Sequence, residues 1–135
     1  MANMLISSSL KVLLVTDLEK SKRYYRDVLG CEVTDWWVIR DGFTGLGLKL
    51  LQANTPDDVK PNKPAEGADI GFELYCYVDD WESLDKLYDE FKGNGANIVI
   101  EPWIDPDNGP WKEFALQDID GYCIAFGGTN KGKQE

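Results

Sequence analysis

The sequence contains no histidine, and this absence excludes a large part of ordinary enzyme chemistry. Serine and cysteine triads with an imidazole base, histidine-ligated zinc or iron, and histidine proton shuttles all require this residue. A nucleophile in this chain would need another base. A bound metal would need carboxylate, carbonyl or thiolate ligands alone.

Positive charge is scarce, since 14 Lys and Arg residues stand against 24 Asp and Glu residues and give a net charge of −10. Nucleic acids and anionic membrane surfaces attract basic proteins, so we expect neither as a partner. No apolar run approaches the roughly 18 residues needed to span a bilayer. Residues 1–9 also lack the basic start and long apolar segment of a signal peptide.

The cysteines are few and unpaired in sequence: Cys31, Cys76 and Cys123 form no C-x-x-C motif. This spacing indicates neither a structural zinc site nor a disulfide framework. Reduced cysteines that act as small buried apolar residues are typical of the cytosol. We therefore expect a cytoplasmic protein.

The first half of the chain has the pattern β-α-β-β-β if the stretch around 40–44 is split by the turn predicted at Asp41-Gly42. Leu10–Val15 is a short apolar run that predicts a strand. Asp17 is a suitable N-cap for a helix that ends at Gly30. Further strands are predicted at Cys31–Ile39, which holds Trp36 and Trp37 near its end, and at Gly45–Gln52.

The second half repeats this pattern after residues 53–69, a segment with proline clusters and no periodicity that predicts a linker. Ile70–Val78 is predicted as a strand, and Asp79 as the N-cap of a helix with Glu82 at the capping-box position. Pro102–Pro110 is predicted as a loop. The remaining strands are predicted at Ile98–Ile100, Lys112–Gln117 and Tyr122–Phe126.

The two halves share a junction, in which an apolar strand ends at Val and an acidic residue precedes a helix. The sequence V-T-D-L-E-K-S at 15–21 matches V-D-D-W-E-S-L at 78–84. We expect an α+β fold in which module 1 (about 5–55) and module 2 (about 70–128) pair within one domain, 1–135.

The sequence resembles the vicinal oxygen chelate superfamily, which contains glyoxalase I, extradiol dioxygenases and bleomycin-resistance proteins. Residues 15–33 are similar to its strand-to-helix opening, and W-K-E-F-A-L-Q-D-I-D-G-Y-C-I-A-F at 111–126 to its closing hairpin. Ile119 replaces the proline usual in that hairpin. The resemblance implies paired β-α-β-β-β modules whose curled sheets enclose a cleft, commonly completed by a homodimer partner.

The resemblance also implies where a metal would bind, because the family's enzymes hold a divalent ion in that cleft on His, Gln or Glu side chains. The matching positions are Leu10, Glu73 and Ala125, and near a fourth position only Gln52 could coordinate. A lone carboxylate holds a divalent ion poorly. We therefore expect no metal and no other cofactor, and without a metal the family's isomerase and dioxygenase mechanisms lose their Lewis acid.

Strand alternation places Glu73, Tyr75 and Tyr77 on one face of their predicted strand, and the opposite face is apolar. The apolar face suits packing on the helix, so the acid and the two tyrosines are predicted to line the cleft. The alternative is that they pack against another strand or a dimer partner.

Four tryptophans are further candidates for ligand contact. Trp36 and Trp37 are adjacent, so in a strand they would point to opposite faces, while Trp103 and Trp111 flank the predicted loop. Aromatic rings at the edge of a cleft stack on planar ligands and attract cations. Lid or dimer contacts are the alternative.

These observations predict a metal-free binding protein of the bleomycin-resistance type, an antibiotic-resistance function. It would be a cytoplasmic homodimer that sequesters a small aromatic compound, with Glu73 supplying charge for a cationic one, and no residue is predicted to be catalytic. One alternative is a divergent metal-dependent glyoxalase- or dioxygenase-like enzyme that uses Glu73 and Gln52. Another is a partner-binding subunit without small-molecule affinity, because fold alone does not choose among these classes.

Overall fold

The computed structural model describes residues 5–62, 71–107 and 109–130. The chain divides into two compact units, unit 1 ending at Val59 and unit 2 beginning at Lys60. Within the described residues, each unit has one four-stranded mixed sheet and one α-helix in the order β-α-β-β-β. The predicted α+β class and module order are confirmed. No helix of the described residues is long and apolar enough to cross a membrane.

Unit 1 has the sheet order β1-β4-β3-β2, in which β1 is parallel to β4 and the other pairs are antiparallel. A 3-10 turn at Pro56–Asp58 follows the sheet within the predicted linker, of which residues 63–69 lie outside the described residues. The elements are β1 (Lys11–Val15), α1 (Leu18–Asp27), β2 (Glu32–Val33), β3 (Val38–Arg40) and β4 (Leu46–Gln52).

Unit 2 repeats this topology with the order β5-β8-β7-β6, in which β5 is parallel to β8 and the other pairs are antiparallel. Its first strand begins at Phe72, and the predicted start at Ile70 lies outside the described residues. The elements are β5 (Phe72–Tyr77), α2 (Trp81–Gly93), β6 (Asn97–Asp105), β7 (Trp111–Gln117) and β8 (Cys123–Thr129).

Helix α1 begins after Asp17, as the sequence predicts, and ends at Asp27, before the predicted end at Gly30. The Asp17 side chain accepts a hydrogen bond from the backbone N–H of Lys20 at 3.1 Å, as an N-cap residue does. Tyr25 and Leu29 are fully buried and attach the helix to its sheet. Gly30 follows the C-cap Val28 and has a φ of 67°, a left-handed conformation that lets the chain turn towards β2 at little steric cost.

Helix α2 begins one residue later than predicted, and the assignment of Asp79 as its N-cap is wrong. The N-cap is Asp80, whose side chain accepts a hydrogen bond from the backbone N–H of Ser83 at 2.8 Å. Val78 donates its backbone N–H to the Gly127 carbonyl at 2.9 Å, so the chain stays attached to the sheet beyond β5. Asp80 has extended backbone, with a φ of −157° and a ψ of 171°, as an N-cap residue has, so the helix begins at Trp81.

Replacing Asp80 with alanine should lower the free energy of unfolding by about 1 kcal/mol, because the N–H of Ser83 loses its acceptor. The exposed Asp79 is the matched control, and Asp79→Ala should change stability by less than about 0.5 kcal/mol. Urea denaturation of both variants measures the difference. A larger loss of stability in Asp79→Ala than in Asp80→Ala would mean that Asp79 is the N-cap.

The strand predicted over Cys31–Ile39 is interrupted, and the placement of Trp36 and Trp37 in a strand is wrong. Thr34 Oγ1 accepts the backbone N–H groups of Trp36 at 3.1 Å and Trp37 at 3.2 Å. The same threonine donates its own N–H to the Trp37 carbonyl at 2.9 Å. This hydroxyl-stabilised turn separates β2 from β3, so strand alternation does not apply to the two rings.

The loop predicted over Pro102–Pro110 begins too early, because β6 continues to Asp105. The β6–β7 register shifts between Ile100 and Trp103, and Pro102 lies within that irregularity. Strand β6 is at the edge of its sheet, where a proline can lack an N–H without breaking a ladder on both sides. Asn108 lies outside the described residues.

Helix α2 covers one face of the unit 2 sheet through an aromatic core. The rings of Phe114 and Phe126 stack at 5.1 Å on neighbouring strands, and Phe91 of α2 lies 5.3 Å from Phe126. All three side chains are buried. The side chains that alternate with Phe114 and Phe126 therefore belong to the opposite face, which carries no helix of unit 2.

Candidate functional site

The helix-free face of unit 2 is built from two rows of cross-strand neighbours. One row pairs Tyr75 with Ala125 and Ala115. The next row crosses all four strands and consists of Tyr77, Gly127, Glu113 and Trp103. Directly paired residues point to the same side of a sheet, so these side chains share one surface.

The aromatic cluster of this face consists of Tyr75, Tyr77, Trp103 and Trp111. The ring of Tyr75 lies 5.3 Å from that of Tyr77 and 6.4 Å from that of Trp111, and Tyr77 and Trp111 are 5.9 Å apart. Tyr77 is 76% exposed and Trp103 is 42% exposed. The cluster therefore presents ring surface to solvent at Tyr77 and Trp103, while the two inner rings, those of Tyr75 and Trp111, pack on the sheet.

Glu113 joins the members of the aromatic cluster by hydrogen bonds. Trp103 donates its Nε1–H to Glu113 Oε2 at 3.1 Å, and the Tyr75 hydroxyl donates to Glu113 Oε1. Trp111 in turn donates its Nε1–H to the Tyr75 hydroxyl oxygen at 2.8 Å. The polar hydrogens of these three rings are thus directed to partners within the cluster, which fixes the ring orientations.

Tyr75 is held as a neutral phenol. Burial raises its pKa, and the hydrogen bond to Glu113 raises it further because ionisation would place two negative charges together. The hydroxyl therefore remains a donor at physiological pH. A phenol in this state is unsuited to act as a base.

Gly127 provides the space that the two inner rings occupy. A Cβ atom at this position would lie 2.6 Å from Nε1 and 2.9 Å from Cε2 of Trp111 and would also overlap the Tyr75 hydroxyl. These approaches are closer than carbon contacts allow. The absence of a side chain at Gly127 is therefore a condition for the observed ring positions.

Glu73 lies apart from the hydrogen bonds of the aromatic cluster. The register between β5 and β8 shifts between Phe72 and Leu74, so Glu73 occupies a β-bulge. It is the ring of Phe72 that contacts Tyr75, at 6.0 Å, and Glu73 accepts a hydrogen bond from the backbone N–H of Asn62. The structure brings together Tyr75, Tyr77, Trp103 and Trp111. The carboxylate among them is that of Glu113 and not that of Glu73.

Glu113 and Gly127 were not among the residues singled out from the sequence. The signal for Glu113 was available in W-K-E-F-A, because alternation along a strand starting at Trp111 places Glu113 and Ala115 on one face. The signal for Gly127 was not local, since its need for space depends on rings from β5 and β7.

Trp36 and Trp37 lie in unit 1 and each has its own local contacts. Trp36 is 69% exposed, and the Lys49 ammonium lies 5.4 Å from the centre of its ring. Trp37 packs edge-on against Phe43 at 5.1 Å. Its Nε1 is buried without a hydrogen-bond partner among the described residues.

The side chains at the positions implied for a divalent metal do not fit one. Leu10 and Ala125 have no donor atoms. The Gln52 amide accepts the backbone N–H of Leu18 at 2.9 Å and donates to the Thr16 carbonyl at 2.8 Å, so it connects the end of β1 to α1. Over residues 5–62, 71–107 and 109–130, no three His, Cys, Asp or Glu side chains form a group that could hold a metal ion.

Comparison with known families assigns this fold and sequence to one class. The model of the Glyoxalase/Bleomycin resistance protein/Dioxygenase superfamily matches residues 9–126. The chain belongs to this superfamily, and the resemblance described from the sequence is confirmed. A comparison with curated proteins found no match.

Solved structures with the same fold include proteins of different activity. A superfamily member from Sphaerobacter thermophilus DSM 20745 is 19% identical, with 93% of this chain and 99% of that chain covered and a TM-score of 0.64. The genomically encoded fosfomycin resistance protein FosX from Listeria monocytogenes is 14% identical, with 93% and 94% covered and a TM-score of 0.66. A lactoylglutathione lyase from Agrobacterium tumefaciens is 19% identical, with 93% and 96% covered and a TM-score of 0.59. At these identities the likeness shows the fold alone.

Proposed function

We propose that this protein binds a small planar aromatic compound on the helix-free face of unit 2 and sequesters it without a metal and without chemical conversion. The observation that carries the proposal is the aromatic cluster, in which hydrogen bonds hold Tyr75, Trp103 and Trp111 in place while Tyr77 and Trp103 are exposed to solvent. Preoriented rings lose little conformational freedom when they stack on a ligand.

Binding rather than catalysis is favoured by the state of the polar groups in the cluster. The Tyr75 phenol has a raised pKa and donates its proton to Glu113, so it does not act as a base. The chain has no histidine, and the donors at the implied metal positions are absent or engaged in the fold. The site thus offers surfaces for recognition, and its carboxylate, Glu113, is engaged by the Tyr75 hydroxyl and the Trp103 indole N–H.

The wider proposal is a protein of the bleomycin-resistance type that acts as a cytoplasmic homodimer and lowers the free concentration of a toxic aromatic compound. Superfamily membership supports this type, and sequestration requires affinity alone.

The test of ligand binding uses acridine, a planar compound that is neutral at pH 8, in equilibrium dialysis. Tyr77→Ala should weaken acridine binding about three- to tenfold, because one stacked aromatic contact contributes about 0.5–1.5 kcal/mol. Tyr77 is 76% exposed, so its removal should leave the fold intact.

The matched control is Trp36→Ala, which removes another exposed ring, in unit 1. It should leave acridine binding unchanged. Loss of binding in Trp36→Ala with retention in Tyr77→Ala would place the site in unit 1, and no binding by the wild type would refute the proposal.

A further inference from the structure

We propose that Glu113 makes this site selective for aromatic cations, that is, planar rings with a quaternised ring nitrogen, an amidinium or an ammonium group. This inference rests on the proposed function and specifies the class of ligand. Glu113 is the specificity-determining residue in this view, in place of the Glu73 expected from the sequence.

The position of Glu113 is the first argument. It lies on β7, between β8 and β6, and is paired with Gly127 on one side and with Trp103 on the other. The rings of Tyr75 and Trp111 fill the space above Gly127. The carboxylate accepts hydrogen bonds from Tyr75 and from Trp103, whose side chain is 42% exposed. A cation that stacks on the ring of Trp103 would therefore lie close to the carboxylate.

The charge balance around Glu113 is the second argument. Its hydrogen-bond donors, the Tyr75 hydroxyl and the Trp103 indole N–H, are both neutral. Neutral donors stabilise a carboxylate without cancelling its charge. In the part of the chain that the structure describes, no Lys or Arg forms an ion pair with Glu113, and the adjacent Lys112 pairs with Asp85 at 2.8 Å.

A second carboxylate in unit 2 provides the contrast. Glu101 also accepts a hydrogen bond from a tyrosine hydroxyl, that of Tyr88, but the Lys92 ammonium donates to the same hydroxyl at 3.0 Å and lies 5.4 Å from the ring centre. The Lys92 ammonium is thus already bound to Tyr88, the tyrosine beside Glu101. Beside Glu113, the corresponding donor to the tyrosine hydroxyl is the neutral indole N–H of Trp111, at 2.8 Å, so this donor does not offset the charge of Glu113.

The remaining polar groups of the aromatic cluster also favour a cation. The indole N–H groups of Trp103 and Trp111 and the hydroxyl of Tyr75 all donate within the cluster. Apart from the exposed Tyr77 hydroxyl, which can donate or accept, an anionic ligand would meet ring faces and a carboxylate, both of which repel negative charge. The net charge of −10 adds a long-range attraction for cations.

The test compares three planar probes of nearly equal shape: N-methylacridinium, acridine and acridine-9-carboxylate, at pH 8 in equilibrium dialysis. The wild type should bind the cation at least about tenfold more tightly than acridine, which corresponds to about 1.4 kcal/mol, and should bind the anion weakest. Raising the ionic strength should weaken binding of the cation and leave that of acridine nearly unchanged.

Three substitutions test which carboxylate gives the protein its preference for the cation. Glu113→Gln should reduce the preference for N-methylacridinium over acridine to less than about threefold, and because the preference is a ratio of two affinities in the same variant, a change in ring positions that affects both probes cancels from it. Glu101→Gln is the matched control and should keep the wild-type preference. Glu73→Gln should keep it as well.

The possible outcomes separate this inference from the proposed function. Acridine binding without a preference for the cation would overturn the selectivity and leave the proposed function standing. If Glu73→Gln loses the preference for N-methylacridinium and Glu113→Gln keeps it, then Glu73 is the carboxylate that attracts the cation, and the role of Glu113 is refuted. Failure of all three probes to bind would refute both.

Discussion

Gly127→Ala should weaken binding of acridine at least about tenfold, because the new methyl group occupies the space of the rings that form the site. A Cβ at this position would lie 2.6 Å from Trp111 Nε1 and would overlap the Tyr75 hydroxyl. Both rings must move outward. Their mutual hydrogen bond, and that between Tyr75 and Glu113, would then lose their geometry.

The size of this effect follows from the position of Gly127 in the sheet. It lies on β8, paired with Tyr77 on one side and Glu113 on the other, so the backbone cannot shift without disturbing two ladders. Overpacking of such a site costs about 1–3 kcal/mol. We expect the rings of Tyr75 and Trp111 to move and the backbone to stay in place. Near-UV circular dichroism should then report the changed environment of Trp111.

Gly93→Ala is the matched glycine control. Gly93 is the last residue of α2, and a Cβ there would meet nothing within 4 Å. Alanine should leave acridine binding unchanged and stabilise the protein slightly, by about 0.5–1 kcal/mol, because it restricts the unfolded chain. Wild-type acridine affinity in Gly127→Ala would mean that Tyr75 and Trp111 do not form the binding surface.

The parts of the fold that the sequence predicted correctly depend on local signals. Asp17 marks the start of α1 and Gly30 the turn that follows it, because a side-chain acceptor and a left-handed glycine act within a few residues. At the start of α2, two aspartates are adjacent and either could cap a helix, so the local pattern does not distinguish Asp79 from Asp80, and only the hydrogen bond from Ser83 to Asp80 identifies the N-cap.

The candidate site was predicted in part for the same reason. The alternation of side chains along a strand places Tyr75 and Tyr77 on one face, since it needs only a regular strand. The same rule places Glu113 on the face of Trp111. It misplaced Glu73 because a β-bulge inserts an extra residue at the start of β5. The bulge is defined by the register against β8, which a single strand sequence does not encode.

The two faces of the unit 2 sheet should respond separately to mutation, and Phe114 tests this. Phe114→Ala should lower the free energy of unfolding by about 3–5 kcal/mol, because a fully buried ring is replaced by a cavity. Its ring stacks on Phe126 at 5.1 Å and meets Tyr88 edge-on at 5.4 Å. Urea denaturation measures the loss, and Phe72→Ala, at a phenylalanine that is 37% exposed, should cost less than half as much.

The milder variant Phe114→Leu connects this stability to the ligand site. Phe114 follows Glu113 directly, but the two side chains lie on opposite faces of β7. Phe114→Leu should therefore lose stability and still prefer N-methylacridinium over acridine as the wild type does. A lost preference in a folded Phe114→Leu protein would mean that the core under α2 positions Glu113, and that the two faces of the sheet are coupled.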